Sequence, residues 1–341
     1  MGRAGPLRSG CAADPTRRIS VAEPYIYVPR QLTDAAMEAV RALGHPVVAG
    51  AVGPPARDEL LERAAGAAAV VCTLTERIDT EFLDAAGPGL RVVANVAVGY
   101  DNIDVTAATE RGVRVTNTPG VLDGATADLA MALILAAARR VPDGDRLLRD
   151  RTPWVWGPRM MLGLDLSAGA TLGVVGFGRI GRAVARRAKA FDMEILATPT
   201  RSEVSAEDRV GVTFLDLPEL LERSDVVTVH VPLNDTTRNL IDATALRRMK
   251  PTAILINTAR GGIVDEKALV EALHAGTIAG AGLDVFVGEP NVAPDLLDAP
   301  NTVLTPHIGS AGTATRERMC ALAVRNAAAV LAGDNPPTPV N

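Results

Sequence analysis

The sequence predicts two α/β units in one chain, each a parallel sheet with helices wound over both faces. Three observations predict it. Short β-branched runs alternate with helical patterns from Pro24 onward, a second such series starts at Thr171, and a glycine-rich turn joins the first strand and first helix of that second series. Strands alternating with helices build parallel sheets covered on both sides.

The first unit reads as strands in YIYV (25–28), HPVVAG (45–50), AAVVCT (68–73), LRVVANV (90–96) and VRVTNT (113–118), with helices such as TDAAMEAVRAL (33–43) between them. Each strand is a short, nearly continuous apolar run, the pattern of a strand buried on both faces. Residues 117–140 form the crossover into the second unit. Their apolar stretch DLAMALILAAARR is bounded by charges and too short to span a bilayer, so it predicts a helix buried in a core or a subunit contact. The second unit follows with TLGVVG, MEILAT, SDVVTVHV, AILINT, IAGAGLDV and NTVLTP (171–306). The helical pattern at 313–333 has no strand after it and is expected to return to the first unit. This divides the chain into a flexible N-terminal extension (1–20), a discontinuous substrate domain (21–118 and 307–341) and a cofactor domain (119–306).

Composition excludes several classes. The 341 residues carry a net charge of −5 with no basic stripe, which argues against nucleic acid as a partner. Cys11, Cys72 and Cys320 are odd in number and far apart, so they predict neither a disulfide framework nor a metal site, and a reducing, cytoplasmic compartment fits them. No two of the four histidines have metal-ligand spacing. Residues 1–20 lack the apolar core of a secretory signal, and no segment predicts a membrane partner.

The turn is Gly176-Phe177-Gly178-Arg179-Ile180-Gly181, after the strand TLGVV and opening the helix RIGRAVARRAKAF. In a dinucleotide-binding turn of this kind Gly176 permits the tight bend, Gly178 lets a pyrophosphate approach the backbone, and Gly181 lets helix and strand pack closely. The anion lies on the free amides of the helix N-terminus. The second unit is therefore a Rossmann-type domain. An NAD site would have Asp or Glu near Pro199, but the sequence reads Thr198-Pro199-Thr200-Arg201-Ser202. Thr200, Arg201 and Ser202 offer a clamp for a 2′-phosphate, which predicts NADP(H). The alternative is a solvated loop with Glu203 serving the ribose of NAD(H).

Arg260, Glu289 and His307 stand at or near carboxyl ends of predicted strands, where doubly wound sheets bind ligands. Arg260 suits a substrate carboxylate and its carbonyl, and His307 suits proton donation as hydride arrives at the carbon. Glu289 suits an orienting partner that favours the protonated imidazole. Each also has a structural reading as an ordinary loop residue. His230 ends an apolar strand before Pro232 and is placed in the cofactor crevice, as are Pro232 and Thr258.

With these residues in view, the chain resembles the D-isomer-specific 2-hydroxyacid dehydrogenases. The resemblance covers about residues 24–333 and rests on VGYDNID (98–104), RGVRVTNTPGVL (111–122), VGFGRIG (175–181), HVPLNDTTRNLI (230–241), INTARGGIVDE (256–266), GLDVFVGEP (282–290) and TPHIGSA (305–311). WVWGPRMMLGLDL (154–166) and NVAVGYDNIDV (95–105) are similar to the glyoxylate/hydroxypyruvate reductase branch. The resemblance implies a Rossmann cofactor domain inserted into a flavodoxin-like substrate domain and a homodimer formed through residues 123–165. It implies NAD(P)H-dependent reduction of a small 2-oxo acid, with Arg260, Glu289 and His307 as the catalytic residues. It further implies that Val98 and Gly99 amides grip the substrate carboxylate, that Leu74 lines the pocket, and that Trp156 reaches a partner's pocket edge. Asp284 falls on a residue contacting the nicotinamide, Arg179 and Ile180 on positions over the pyrophosphate, and Thr126 on one near the cofactor.

Formate dehydrogenases carry Gln where Glu289 stands and phosphite dehydrogenases carry Lys at the position of Val98, so neither activity is expected. A short phosphoglycerate dehydrogenase, or a dinucleotide-sensing corepressor that keeps the same trio, remains an alternative reading.

Overall fold

The computed structural model describes residues 23–200 and 204–341. The extension at 1–20, and with it Cys11, lies outside the described residues, as do Arg201, Ser202 and Glu203 of the expected clamp. Two parallel sheets organise the chain. The first holds β1 (Tyr25–Val28), β2 (Val47–Ala49), β3 (Ala67–Cys72), β4 (Val92–Asn95) and β5 (Arg114–Thr116) in the order β2-β1-β3-β4-β5. This is the flavodoxin-like order, with its topological switch between β1 and β3.

The second holds β6 (Thr171–Val175), β7 (Glu194–Ala197), β8 (Val212–Phe214), β9 (Val226–Val229), β10 (Ile254–Asn257), β11 (Gly280–Leu283) and β12 (Thr302–Leu304). Its order, β12-β11-β10-β9-β6-β7-β8, is the Rossmann order with one added strand and the switch between β6 and β9. The short edge strand β8 is the one strand the sequence pattern does not announce.

Strand alternation explains the cores. Tyr25 and Tyr27 face one side of the first sheet with Val70, Cys72 and Phe82. Ile26, Val28, Ala69 and Val71 face the other, against Met319, Cys320, Ala323 and Val324 of the Thr313–Ala332 helix. That helix therefore covers the first sheet, and the chain's final residues join it there. Val340 N–H donates to Val115 O at 2.8 Å, and the Asn341 side chain accepts from Val115 N–H at 2.8 Å.

The crossover helix Asp123–Ala138 packs instead on the second sheet, sharing a core with Leu172, Val174 and the Arg179–Lys189 helix. Its apolar residues occupy nearly every side, as suits a buried helix. Among the described residues, no helix is long and apolar enough to cross a membrane.

The candidate active site

Loops at the carboxyl ends of β3 and β4 in the first sheet meet loops at the carboxyl ends of β10, β11 and β12 in the second. The loop after β4, residues 96–102, is held by its carbonyls. Ala97 O accepts from Thr118 N–H at 2.8 Å, and Val98 O accepts from Asn117 Nδ2 at 2.8 Å. In a planar trans peptide the N–H points opposite to the carbonyl. The amides of Val98 and Gly99 are thereby turned away from their anchors, and neither has an acceptor among the described residues. Gly99 O accepts from Asn95 Nδ2 at 3.0 Å, and Asn102 Nδ2 ties the loop to Thr73 O and Glu76 O. Leu74, half-buried, sits in a neighbouring turn stapled by the buried Glu76 carboxylate, which accepts from Thr73 N–H, Thr73 Oγ1 and Thr75 Oγ1.

Arg260 follows β10. Asn257 fixes its backbone, donating to Arg260 O at 2.8 Å and accepting from Ala259 N–H at 3.0 Å. The next residue, Gly261, lies so close to the neighbouring loop that a Cβ there would stand 2.1 Å from the carbonyl carbon of Phe286. Rigid backbone cannot yield as a side chain would. Gly261→Ala is expected to lower stability by about 1–3 kcal/mol, measured as a drop in the thermal or urea midpoint.

The guanidinium crosses to the first sheet, where Nε donates to Asp101 Oδ1 at 2.8 Å. Nη1 donates to Ala259 O at 2.8 Å. Nη2 rests against Gly99: a Cβ on that glycine would lie 1.8 Å from it.

His307 follows β12 and carries a left-handed backbone, φ 54°. Few non-glycine residues adopt this, and it clusters at functional sites. The buried Asp284 holds the loop in that shape: Oδ1 accepts from Thr305 Oγ1 at 2.6 Å and Ile308 N–H at 2.8 Å, and Oδ2 accepts from Gly309 N–H at 2.8 Å. Burial raises the Asp284 carboxyl, an effect these hydrogen bonds oppose without cancelling. His307 Nδ1 lies 2.6 Å from Glu289 Oε2, which leaves Nε2 as the nitrogen with no hydrogen-bond partner among the described residues. Glu289 Oε1 accepts from Phe286 N–H at 2.9 Å. Burial alone would raise the Glu289 carboxyl. The hydrogen bonds from His307 and Phe286, with the charges of His307 and Arg260, outweigh it and hold Glu289 below the usual carboxylate range.

A second carboxylate, Glu266, accepts from Val287 N–H in the same turn, and its pKa is raised by burial and by the charge of Glu289. Asp101 and Glu266 are two carboxylates of the site to which the sequence alone gives no role. Asp101 stood inside the quoted VGYDNID, but only the meeting of the two sheets gives it a partner.

The glycine-rich turn shows three different environments. Gly176 has φ 98°, and a Cβ there would meet His230 O at 2.7 Å. A Cβ on Gly181 would stand 2.2 Å from Gly176 O. Around Gly178 no atom lies within 4 Å of that point, and its residue opens the Arg179–Lys189 helix without a side-chain cap. An open cradle on uncapped amides fits a pyrophosphate. A second observation also fits a bound dinucleotide: Thr258 Oγ1 is buried with no hydrogen-bond partner.

Arg179 is exposed beside Asp123, while Ile180 packs with cores of both sheets. Thr198 Oγ1 accepts from Gly176 N–H at 2.9 Å, tying the end of β7 to the turn. Thr200 is half-buried at the edge of the described residues. His230 Nε2 lies 2.8 Å from Thr228 Oγ1, and burial pushes its imidazole down to about 3, so the ring is neutral at pH 7. Pro232 is exposed, its carbonyl accepting from Thr237 Oγ1 at 2.6 Å. Thr126 is buried beside Gly309, near Asp284. Trp156 is 77% exposed within a segment 151–165 that also exposes Trp154, Val155 and Leu162, so within one chain it is not brought to the site. Among the described residues no group of His, Cys, Asp or Glu is placed to hold a metal ion.

Residues 131–309 match the family model of the D-isomer specific 2-hydroxyacid dehydrogenase NAD binding domain. The chain is 52% identical over 291 residues to a glyoxylate reductase of Korarchaeum cryptofilum, covering 84% of this chain and 87% of that protein. A Thermus thermophilus protein of solved structure superposes with a TM-score of 0.86 at 48% identity, covering 93% of this chain and 100% of that one. The NADPH-dependent glyoxylate/hydroxypyruvate reductase of Sinorhizobium meliloti, solved with NADP and malonate, gives a TM-score of 0.80 at 36% identity over 94% of this chain and 97% of that one.

Proposed function

The chain belongs to the D-isomer specific 2-hydroxyacid dehydrogenases, and from that premise we propose that it reduces glyoxylate, hydroxypyruvate or a similar small 2-oxo acid to the D-2-hydroxy acid. It is an NAD(P)-dependent oxidoreductase. The observation that carries our reading of the site is the His307–Glu289 pair, at 2.6 Å and within the field of Arg260.

In this reading Gly176, Gly178, Arg179, Ile180 and Gly181 hold the pyrophosphate, with Thr126, His230, Pro232, Thr258 and Asp284 around the rest of the dinucleotide. The bound reduced nicotinamide supplies the hydride. Arg260 Nη2 and the amides of Val98 and Gly99 receive the substrate carboxylate, and the guanidinium polarises the adjacent carbonyl. His307 Nε2 gives its proton to the carbonyl oxygen, and Glu289 accepts from Nδ1–H and balances the ring's charge. Leu74 and Val98 bound the pocket. The halves 21–118 with 307–341 and 119–306 close on the ligands and exclude water.

The chain forms a homodimer through the exposed Trp154, Val155, Trp156 and Leu162, with Trp156 reaching the partner's pocket. The described cysteines, Cys72 and Cys320, are buried and unpaired, which supports a reducing cytoplasmic setting.

We take NADPH as the preferred donor. No carboxylate follows β7 through Thr200, and Arg201 is next in sequence. Initial rates with NADPH and NADH, each against glyoxylate and hydroxypyruvate, test both claims. We expect a higher kcat/KM with NADPH that falls about 10- to 100-fold in Arg201→Ala, the worth of one or two charge-assisted hydrogen bonds. An NADH preference untouched by that substitution would assign the ribose to other groups. Absence of turnover with every 2-oxo acid would overturn the activity itself.

A further inference from the structure

We propose that Asp101 is a positioning residue that aims the Arg260 guanidinium at the substrate carboxylate; the inference rests on the activity proposed above. A guanidinium is flat and rigid, so fixing two of its nitrogens fixes the third. Here Nε is held by Asp101 and Nη1 by the carbonyl of Ala259. Nη2 is left with no acceptor among the described residues, lying over Gly99 in the loop whose Val98 and Gly99 amides also lack acceptors. Nη2 and the two amides are thus neighbouring donors without an acceptor among the described residues, and a carboxylate would satisfy them.

Ala259 alone cannot set this aim, because it precedes Arg260 in the same strand-end loop and moves with it. Asp101 belongs to the opposite sheet, in the turn between β4 and the Val105–Glu110 helix. Its bond is the one that fixes the guanidinium relative to the Val98–Gly99 loop. Asn102 anchors the same turn to Thr73 O and Glu76 O, so the Asp101 carboxylate stands on a backbone that is itself held.

The test compares Asp101→Ala and Asp101→Asn with the wild type in kcat and KM for glyoxylate, KM for NADPH, and thermal midpoint. Misplacing a binding group by about 1 Å costs on the order of 100-fold in rate. Asp101→Ala is expected to lose about 100-fold in kcat/KM for glyoxylate, chiefly through KM, with KM for NADPH and the thermal midpoint near wild type. Asp101→Asn keeps an oxygen to accept from Nε and is expected to recover to within about tenfold. In an Arg260→Ala background the Asp101→Ala loss should vanish, since a residue that acts through another adds nothing once that other is gone.

An equal loss in both backgrounds, a loss under threefold in the wild-type background, or a matching fall in thermal midpoint and NADPH affinity would each overturn the proposal. The 15N resonance of Arg260 Nε–H reads the pair without substrate: protection from exchange that disappears in Asp101→Ala supports it, and identical exchange in both proteins refutes it. A wild type that turns over no 2-oxo acid would instead sink the activity on which the inference rests.

Discussion

Replacing His307 by alanine is expected to cut kcat for glyoxylate reduction about a thousandfold, with NADPH affinity and folding preserved. The reduction needs a proton at the carbonyl oxygen as negative charge builds there. A positioned general acid contributes roughly 100- to 10,000-fold. The neighbouring groups are already engaged: Glu266 accepts from Val287 N–H. His230 is held neutral by burial and has Thr228 against its Nε2, and Glu289 faces Nδ1 of the missing ring. Steady-state kinetics with binding of NADPH followed by fluorescence would separate the two effects; a variant that keeps a tenth of the wild-type kcat would remove His307 from the proton path.

Glu289→Gln is the companion measurement. The Glu289 pKa is depressed in the folded protein, so the carboxylate's contribution to stability is present above its unfolded value of about 4.3 and is lost as pH falls through the lower folded value. The gap in thermal midpoint between wild type and Glu289→Gln should therefore be open at pH 7 and close toward strongly acid pH.

Gly99→Ala is expected to lower kcat/KM by about 100- to 1,000-fold in a protein that still folds. The added methyl would lie 1.8 Å from Arg260 Nη2 and 2.7 Å from Cζ, while the nearest other atom is Asp101 Oδ1 at 3.1 Å. The obstacle is the end of a flexible side chain, so the chain relieves the clash by swinging the arginine aside. Gly99 has no positive φ, so alanine brings no backbone strain. The cost falls on substrate binding and leaves the core alone. The same substitution should remove little further activity from an Arg260→Ala protein, and a large additional loss there would show that Gly99 matters for another reason.

The fold was legible because both sheets are parallel and buried on both faces. Their strands then appear as short apolar runs, and the glycine turn marks where the second series begins. β8 escaped because its exposed Thr213 separates Val212 from Phe214, so it lacks the adjacent apolar pair that marks the equally short edge strands β2 and β12. Arg260, Glu289 and His307 stand out in the sequence as polar residues at or near the ends of apolar strands, and the structure brings them together. The contact between Arg260 and Asp101 spans 159 residues of sequence and depends on how two sheets face one another, which no local pattern encodes. Asp284 is similar. Its likeness to a cofactor-contacting residue hides a second task, since both oxygens are engaged in holding the loop that carries His307.

The Thr313–Ala332 helix covers one face of a sheet whose last strand ends at Thr116. On the ribosome the chain emerges in order, so the face formed by Ile26, Val28, Ala69 and Val71 has Met37 and Val40 of the Asp34–Arg41 helix against it, but lacks the Thr313–Ala332 helix until everything between residues 116 and 313 is translated. At 5–20 residues per second this interval is on the order of 10–40 s. The Rossmann unit, by contrast, is contiguous and can complete its core before the chain is finished. Until that helix is made, the second sheet can be complete while the first still exposes part of an apolar face, surface of the kind that chaperones bind and that aggregates.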